Sequence, residues 1–296
     1  MTVKAPDGNG ELPIFASVMQ SYWNVFTKPK RLFVLSALPF GVCIMLSWAF
    51  RALPLLDDSR GAVYFPLYFL SYLIPMSYLG LAWTRCRLWD ERPQFLLRRP
   101  WIDTYWKVAG QYLLWAVAIC GLPALAVMVA ASILYGLASS GIVVAFDTVV
   151  SFIPLAWLCL SLTCVLAFAR LFLALPLIAA SQQTSLAAIW RLGASQCFRL
   201  GGATVLLAVV HLLTIGLCIT ALAALLEAIL ERTVLDIAMH DTYYLRAQIH
   251  YFLTFYIGLP FAASIGTALF AELMSIALRH VTAWDGAQAD IVERFE

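Results

Sequence analysis

Charge is what this sequence has least of. Only 12% of its residues are Asp, Glu, Lys or Arg, against 62% hydrophobic, where a water-soluble domain carries about 25% charged residues. A chain of this kind cannot cover its own surface in water, which excludes a soluble globular fold. The short motifs of common catalysis are missing as well. There is no HExxH, GxSxG, P-loop or GxGxxG, and no carboxylate cluster at metal spacing, so an enzyme is not expected. The seven cysteines include no CxxC and no Cys/His metal pattern, so neither a disulfide framework, a metal nor a cofactor is implied. No short apolar core with a small-residue cleavage site heads the chain. No removable leader is therefore expected, and the first span serves as its own insertion signal.

What is present is length in apolar runs. With a mean hydropathy of +0.85, the 296 residues are best counted in spans of about 20 residues each. Six are expected, over residues 32–50, 63–83, 108–137, 148–169, 203–226 and 251–278. They follow a polar lead over residues 1–13 that reads as disordered. The third run exceeds a bilayer core and should tilt, kink at Pro123 or protrude. Fifteen of the 19 Lys and Arg fall in the N-terminus, the 84–107 loop, the 170–200 loop and the tail. By the positive-inside rule this places both termini in the cytoplasm. The fold class expected is all-α, a polytopic bundle of six transmembrane helices with amphipathic helices on the cytoplasmic side.

Those amphipathic stretches precede the odd-numbered spans. Thr184 to Gly202 is the clearest. On one helix, Leu186, Ile189, Trp190, Gly193 and Cys197 share a side while Arg191, Gln196 and Arg199 lie mostly opposite, the pattern of a helix on a membrane surface. Ile14, Phe15, Val18, Tyr22 and Phe26 mark a similar stretch ahead of Lys28, Lys30 and Arg31. Ile189-Trp190-Arg191-Leu192 has echoes in Tyr22-Trp23-Asn24-Val25 and Tyr105-Trp106-Lys107-Val108, with tryptophans 83 and 84 residues apart. Two readings stay open. Tryptophans gather at membrane interfaces whatever the ancestry, or the chain repeats three times over residues 14–85, 101–170 and 185–279, each unit closed by an arginine, Arg85, Arg170 or Arg279.

Ala169-Arg170, Leu173, Leu175-Pro176, Ser185, Ala188, Trp190 and Arg199-Leu200 form a pattern that resembles the membrane domain of some bacterial glycerophosphodiester phosphodiesterases and its stand-alone relatives. Leu81-Ala82-Trp83-Thr84-Arg85 and Ser275-Ile276-Ala277-Leu278-Arg279 are similar to further pieces of it. The resemblance implies a fold and a location in the bacterial inner membrane. It implies no activity, because the phosphodiesterase reaction of that group belongs to a soluble domain with no counterpart in these residues.

Ionisable groups within spans are the first functional candidates, since an unpaired charge at mid-bilayer costs several kcal/mol. Glu272 and His211 are placed at similar depth on the last two spans. Together, with Arg170 as counter-charge, they would relay protons or bind a polar substrate in a small permease. The prolines Pro39, Pro66, Pro75, Pro123, Pro154 and Pro260 fit interrupted transporter helices, and equally fit ordinary membrane helices. The structural alternative has Glu272 capping a surface helix or paired with Arg85, Arg170 or Arg279, and His211 making one interhelical hydrogen bond. Small-residue stripes, Gly258/Ala262/Gly266 and Gly216/Thr220/Ala224, point to packing between the last two spans, then to a homodimer. Trp23, Trp106, Trp190 and Arg191 are the expected lipid contacts. The favoured reading is a non-enzymatic membrane factor whose partners are membrane lipids or another membrane protein. The basic loops are explained by orientation and anionic lipid, and nucleic acid is not an expected partner.

Overall fold

A computed structural model describes residues 12–52, 61–94, 102–139, 146–180, 186–234 and 257–282. Nearly all of these are helical and none forms a strand. Five helical stretches among them are long and apolar enough to cross a membrane: Pro29–Ala49, Ile102–Ala130, Leu155–Ala179, Ala194–Leu222 and Leu259–Thr282. Membrane character and the all-α class follow directly. Residues 1–11 of the expected lead, the loop at 53–60, Arg98, Arg99 and the tail beyond 282 lie outside the described residues. Leu12, placed in the polar lead by sequence, is fully buried.

Helix α1 (Ile14–Phe26) stops because Lys28 precedes Pro29, and a residue before proline is pushed out of the helical region. The Thr27 hydroxyl donates to Trp23 O at 2.6 Å across that end. Pro29 then opens α2 (Pro29–Ala52), at a position whose N–H would have no helical partner anyway. Helix α3 (Gly61–Leu88) corresponds to the second expected span. It is not one of the five apolar stretches, since its described part carries Ser71, Tyr72, Ser77, Tyr78, Thr84, Arg85 and Arg87. It ends in Asp90, at φ 50°, the left-handed position that closes many helices.

The long third run is α4 (Ile102–Ala116), a π-helical turn at Val117–Gly121, and α5 (Leu122–Ser139). Pro123 lacks an N–H and its ring displaces the carbonyl one turn earlier, so the helix widens just ahead of it. The irregularity expected at Pro123 is there.

Helix α6 (Phe146–Phe168) passes through a 3₁₀ turn, Ala169–Leu173, into the short α7 (Ala174–Ala179). By sequence this stretch falls at the start of the 170–200 loop. In the structure Phe172, Leu173, Ala174, Leu175, Pro176 and Leu177 are all buried, and α7 packs on α3, α4 and the final helix. Trp115, Phe172 and Phe270 meet there edge to face, with centroids 5.4, 5.7 and 5.5 Å apart, a geometry favoured by the ring quadrupoles.

The expected single surface helix over Thr184–Gly202 is divided. Helix α8 (Leu186–Leu192) ends at Gly193, a 3₁₀ turn follows, and α9 (Cys197–Val234) begins. The break coincides with a close contact. Gly193 presses on the 3₁₀ turn, where a Cβ would lie 3.0 Å from both Cα and Cβ of Arg170. Ile189, Gly193 and Cys197 do face inward, but Gln196 joins them, while Trp190 and Arg191 are exposed. Gln196 Oε1 accepts from Leu12 N at 3.2 Å, and Arg199 Nη1 donates to Leu12 O at 3.3 Å. These two side chains, assigned to a solvated face, fasten the start of the fold.

Helix α10 (Leu259–Thr282) is the most enclosed of the five apolar stretches and α9 the least. It packs on α1, α2, α3, α7 and α9. Its inner face is small and regular: Ser264, Ala268, Ala271 and Ser275 are all buried.

Candidate functional site

The most unusual group in the structure is Glu272, a carboxylate on α10 with 1% of its surface exposed. Burial of an ion costs several kcal/mol unless its lone pairs are met, and three elements meet them. Asn24 Nδ2 of α1 donates to Oε1 at 2.7 Å. Trp83 Nε1 of α3 donates to Oε2 at 2.9 Å. Arg87, one turn below Trp83, brings Nε to 2.7 Å of Oε1. That last contact is a close ion pair whose N–H is not aimed at the oxygen, since Nε makes no geometrically acceptable hydrogen bond.

Cations crowd around this carboxylate. Arg279 Nη2, two turns along α10, donates to Arg87 O at 2.9 Å and sits 3.4 Å from Leu88 O, closing the C-terminal carbonyls of α3. Arg31 lies 3.6 Å from Asp90. Partial desolvation lowers the Lys28 ammonium below its ordinary value. Arg31 and Arg87 push the same way, while Glu272 and Asp90 oppose them.

The partners proposed for Glu272 by sequence are engaged elsewhere. Arg85 is buried, pairs with Glu91 and donates from Nη1 to Ala179 O at 2.8 Å, capping α7. Arg170 lies over the Trp190 ring, 4.8 Å from its centroid, a cation–π contact. His211 makes the one interhelical hydrogen bond expected of it, Nε2 to Ala262 O at 2.9 Å. The structure does not bring His211 and Glu272 together. Ala262 and Glu272 are ten residues apart on α10, about 15 Å of helix rise, and each group is held by different neighbours.

Ala262 and Gly266 of the first stripe do face α9: Ala262 O bonds His211, and a Cβ on Gly266 would meet His211 Nε2 at 2.9 Å. Gly216, Thr220 and Ala224 are exposed and take no part in that contact. All three expected lipid-contact tryptophans are open, with Trp23 at 71%, Trp106 at 59% and Trp190 at 42%.

Sequence reasoning missed Asn24, Trp83 and Arg87. Their signal was present, because Asn24 follows Trp23 within the first echo and Trp83 belongs to the Leu81–Arg85 pattern. What no pattern supplies is that residues 248 and 189 positions distant converge on one carboxylate. No protein-family model, no curated protein and no solved structure matches this chain.

Proposed function

We propose that this is a bacterial inner-membrane protein of six spans, with both termini in the cytoplasm, that acts without catalysis through contact with membrane lipid or a membrane partner. One observation carries the reading. Helix α1 is packed on α9 and α10 with Ser17, Val18, Ser21 and Val25 inward, and it turns Phe15, Met19, Trp23 and Phe26 outward. A helix facing water does the reverse, keeping serines outside. Facing lipid, each large apolar side chain is worth about 1.5–3 kcal/mol relative to exposure in water. Lys28, Lys30 and Arg31 follow at once, the flank expected of an interfacial helix against anionic headgroups.

The sixth crossing in this reading is α3, whose 28 residues reach about 42 Å and in which Tyr72, Ser77, Thr84 and Arg85 are buried. The basic-residue asymmetry supports the orientation. The permease alternative needs His211 and Glu272 at one site, and each already has its own partners.

Brominated-lipid quenching tests the proposal. In proteoliposomes, replacing Trp23 with Phe should remove a quenched component of the tryptophan emission. If the quenched fraction is unchanged and aqueous iodide quenches Trp23 instead, α1 faces water and the reading is wrong. Reporter fusions near Arg98 and Trp190 should read out as cytoplasmic.

A further inference from the structure

The α1–α2 turn and the end of α3 gather more positive charge than the fold consumes. Lys28, Arg31, Arg87 and Arg279 face two carboxylates, Glu272 and Asp90, leaving an excess of two positive charges. Glu272 is committed to Asn24 and Trp83 as well as Arg87, and the Asp90 side chain is 98% exposed, so solvent screens it strongly. Arg87 spends only Nε on its ion pair. Among the described residues its two terminal nitrogens make no hydrogen bond, and a fifth of the side chain is exposed. Partial desolvation is the first reason that the Lys28 pKa is lowered, and repulsion from Arg31 and Arg87 adds to it. Such a cluster is costly by itself and is relieved by an anion.

We infer that Lys28, Arg31 and Arg87, with Arg279 behind them, bind the phosphate of an anionic phospholipid headgroup, a phosphomonoester in preference to a diester. A phosphomonoester carries about −1.5 to −2 near neutral pH, matching the excess, and offers three acceptor oxygens. Guanidinium forks suit those oxygens bidentately. Glu272 acts here as a positioning residue that fixes Arg87 through Nε. The headgroup, rather than a soluble anion, is assigned because Lys28 stands two residues beyond Phe26, at the end of the outward aromatic row of α1. With that row among acyl chains, the cluster lies at headgroup depth. The inference rests on the lipid-contact reading above.

The test uses the full-length protein purified in detergent and native mass spectrometry with dioleoyl phosphatidic acid, dioleoyl phosphatidylglycerol and dioleoyl phosphatidylcholine. Retention of phosphatidic acid should exceed that of phosphatidylcholine at least tenfold, with phosphatidylglycerol between them. The double variant Lys28→Gln/Arg31→Gln, which leaves the Glu272 contacts intact, should cut phosphatidic acid retention by about thirtyfold, at roughly 1 kcal/mol per basic residue. Its lipid-free unfolding temperature should be no lower than that of the parent, since the variant removes two of the mutually repelling cations. Equal retention of the three lipids, or undiminished phosphatidic acid binding by the double variant, overturns the inference. Complete displacement of the lipid by millimolar inorganic phosphate also overturns it, by assigning the cluster to a soluble anion. Trp23 quenching by brominated phosphatidylcholine is scored alongside, so that loss of headgroup preference is distinguished from failure of lipid contact altogether.

Discussion

Replacing Glu272 with Gln is the sharpest test of the packing described above. The substitution keeps the shape but leaves one acceptor oxygen where there were two, and it turns an amide NH₂ toward a neighbouring donor, from Asn24 or Trp83. Arg87, 2.7 Å away, loses its counter-ion. A hydrogen bond is worth about 1 kcal/mol between neutral groups and about 1.5–3 with a charged one. Breaking one half of a buried ion pair costs about 3–5 kcal/mol. Arg87 keeps some access to solvent, which places the expected loss near the lower end, about 3 kcal/mol. Arg87→Gln should cost at least as much, because the carboxylate left behind is nearly inaccessible. The double variant should be less destabilised than the two losses combined, with a coupling of about 2 kcal/mol. Denaturant titration in mixed micelles, followed by tryptophan emission, measures all three. If Glu272→Gln lies within about 1 kcal/mol of the parent, or the coupling vanishes, the carboxylate is not the fastening described here.

Tyr112 points its hydroxyl into a buried position with no hydrogen-bond partner among the described residues. Tyr112→Phe should therefore stabilise the protein by about 1–3 kcal/mol in the same titration. Gly80 is the residue that makes room for that hydroxyl, so Gly80→Ala should destabilise by about 1–3 kcal/mol, and less so in the Tyr112→Phe background. Gly193→Ala should cost a similar amount by forcing α8 away from Arg170, with a change in the Trp190 emission as the guanidinium leaves the indole face. His211→Ala should lose only about 1–2 kcal/mol, the worth of one interhelical hydrogen bond in a membrane protein, and a loss above about 3 kcal/mol would show that the histidine does more than bond Ala262.

Composition and hydropathy carried the fold class, because lipid imposes apolar runs of a fixed length and an excess of one charge sign on one side. Pro123 announced the π turn, since the missing N–H acts locally. The interior was far less legible. In a soluble protein an apolar stripe marks the core, whereas lipid and core are alike to Leu or Val, so nothing distinguished Leu171 to Ala180, now central, from a stretch lying on the surface. The Thr184–Gly202 periodicity misled for a related reason: it could not register that Gly193 packs on Arg170 or that Gln196 turns inward. Small side chains are the better guide to a helix-facing surface, and Ser264, Ala268, Ala271 and Ser275 spelled one out on α10. The pairing of Glu272 with Arg87 instead of Arg85 or Arg279 depends on which way α3 is turned about its axis, which no local pattern encodes.

The enclosure of α10 sets an order on biogenesis. Among the described helices it leaves the ribosome last, yet Asn24, Trp83 and Arg87 all depend on it for their acceptor. At about 5–20 residues per second, on the order of 10 s separates the synthesis of Leu88 from that of Leu259. For that interval the earlier helices hold an unmatched guanidinium and two idle donors inside the translocon or lipid. The nascent protein is therefore most vulnerable to membrane quality control until α10 is made, and the arrival of one glutamate supplies the partner that three earlier residues lack.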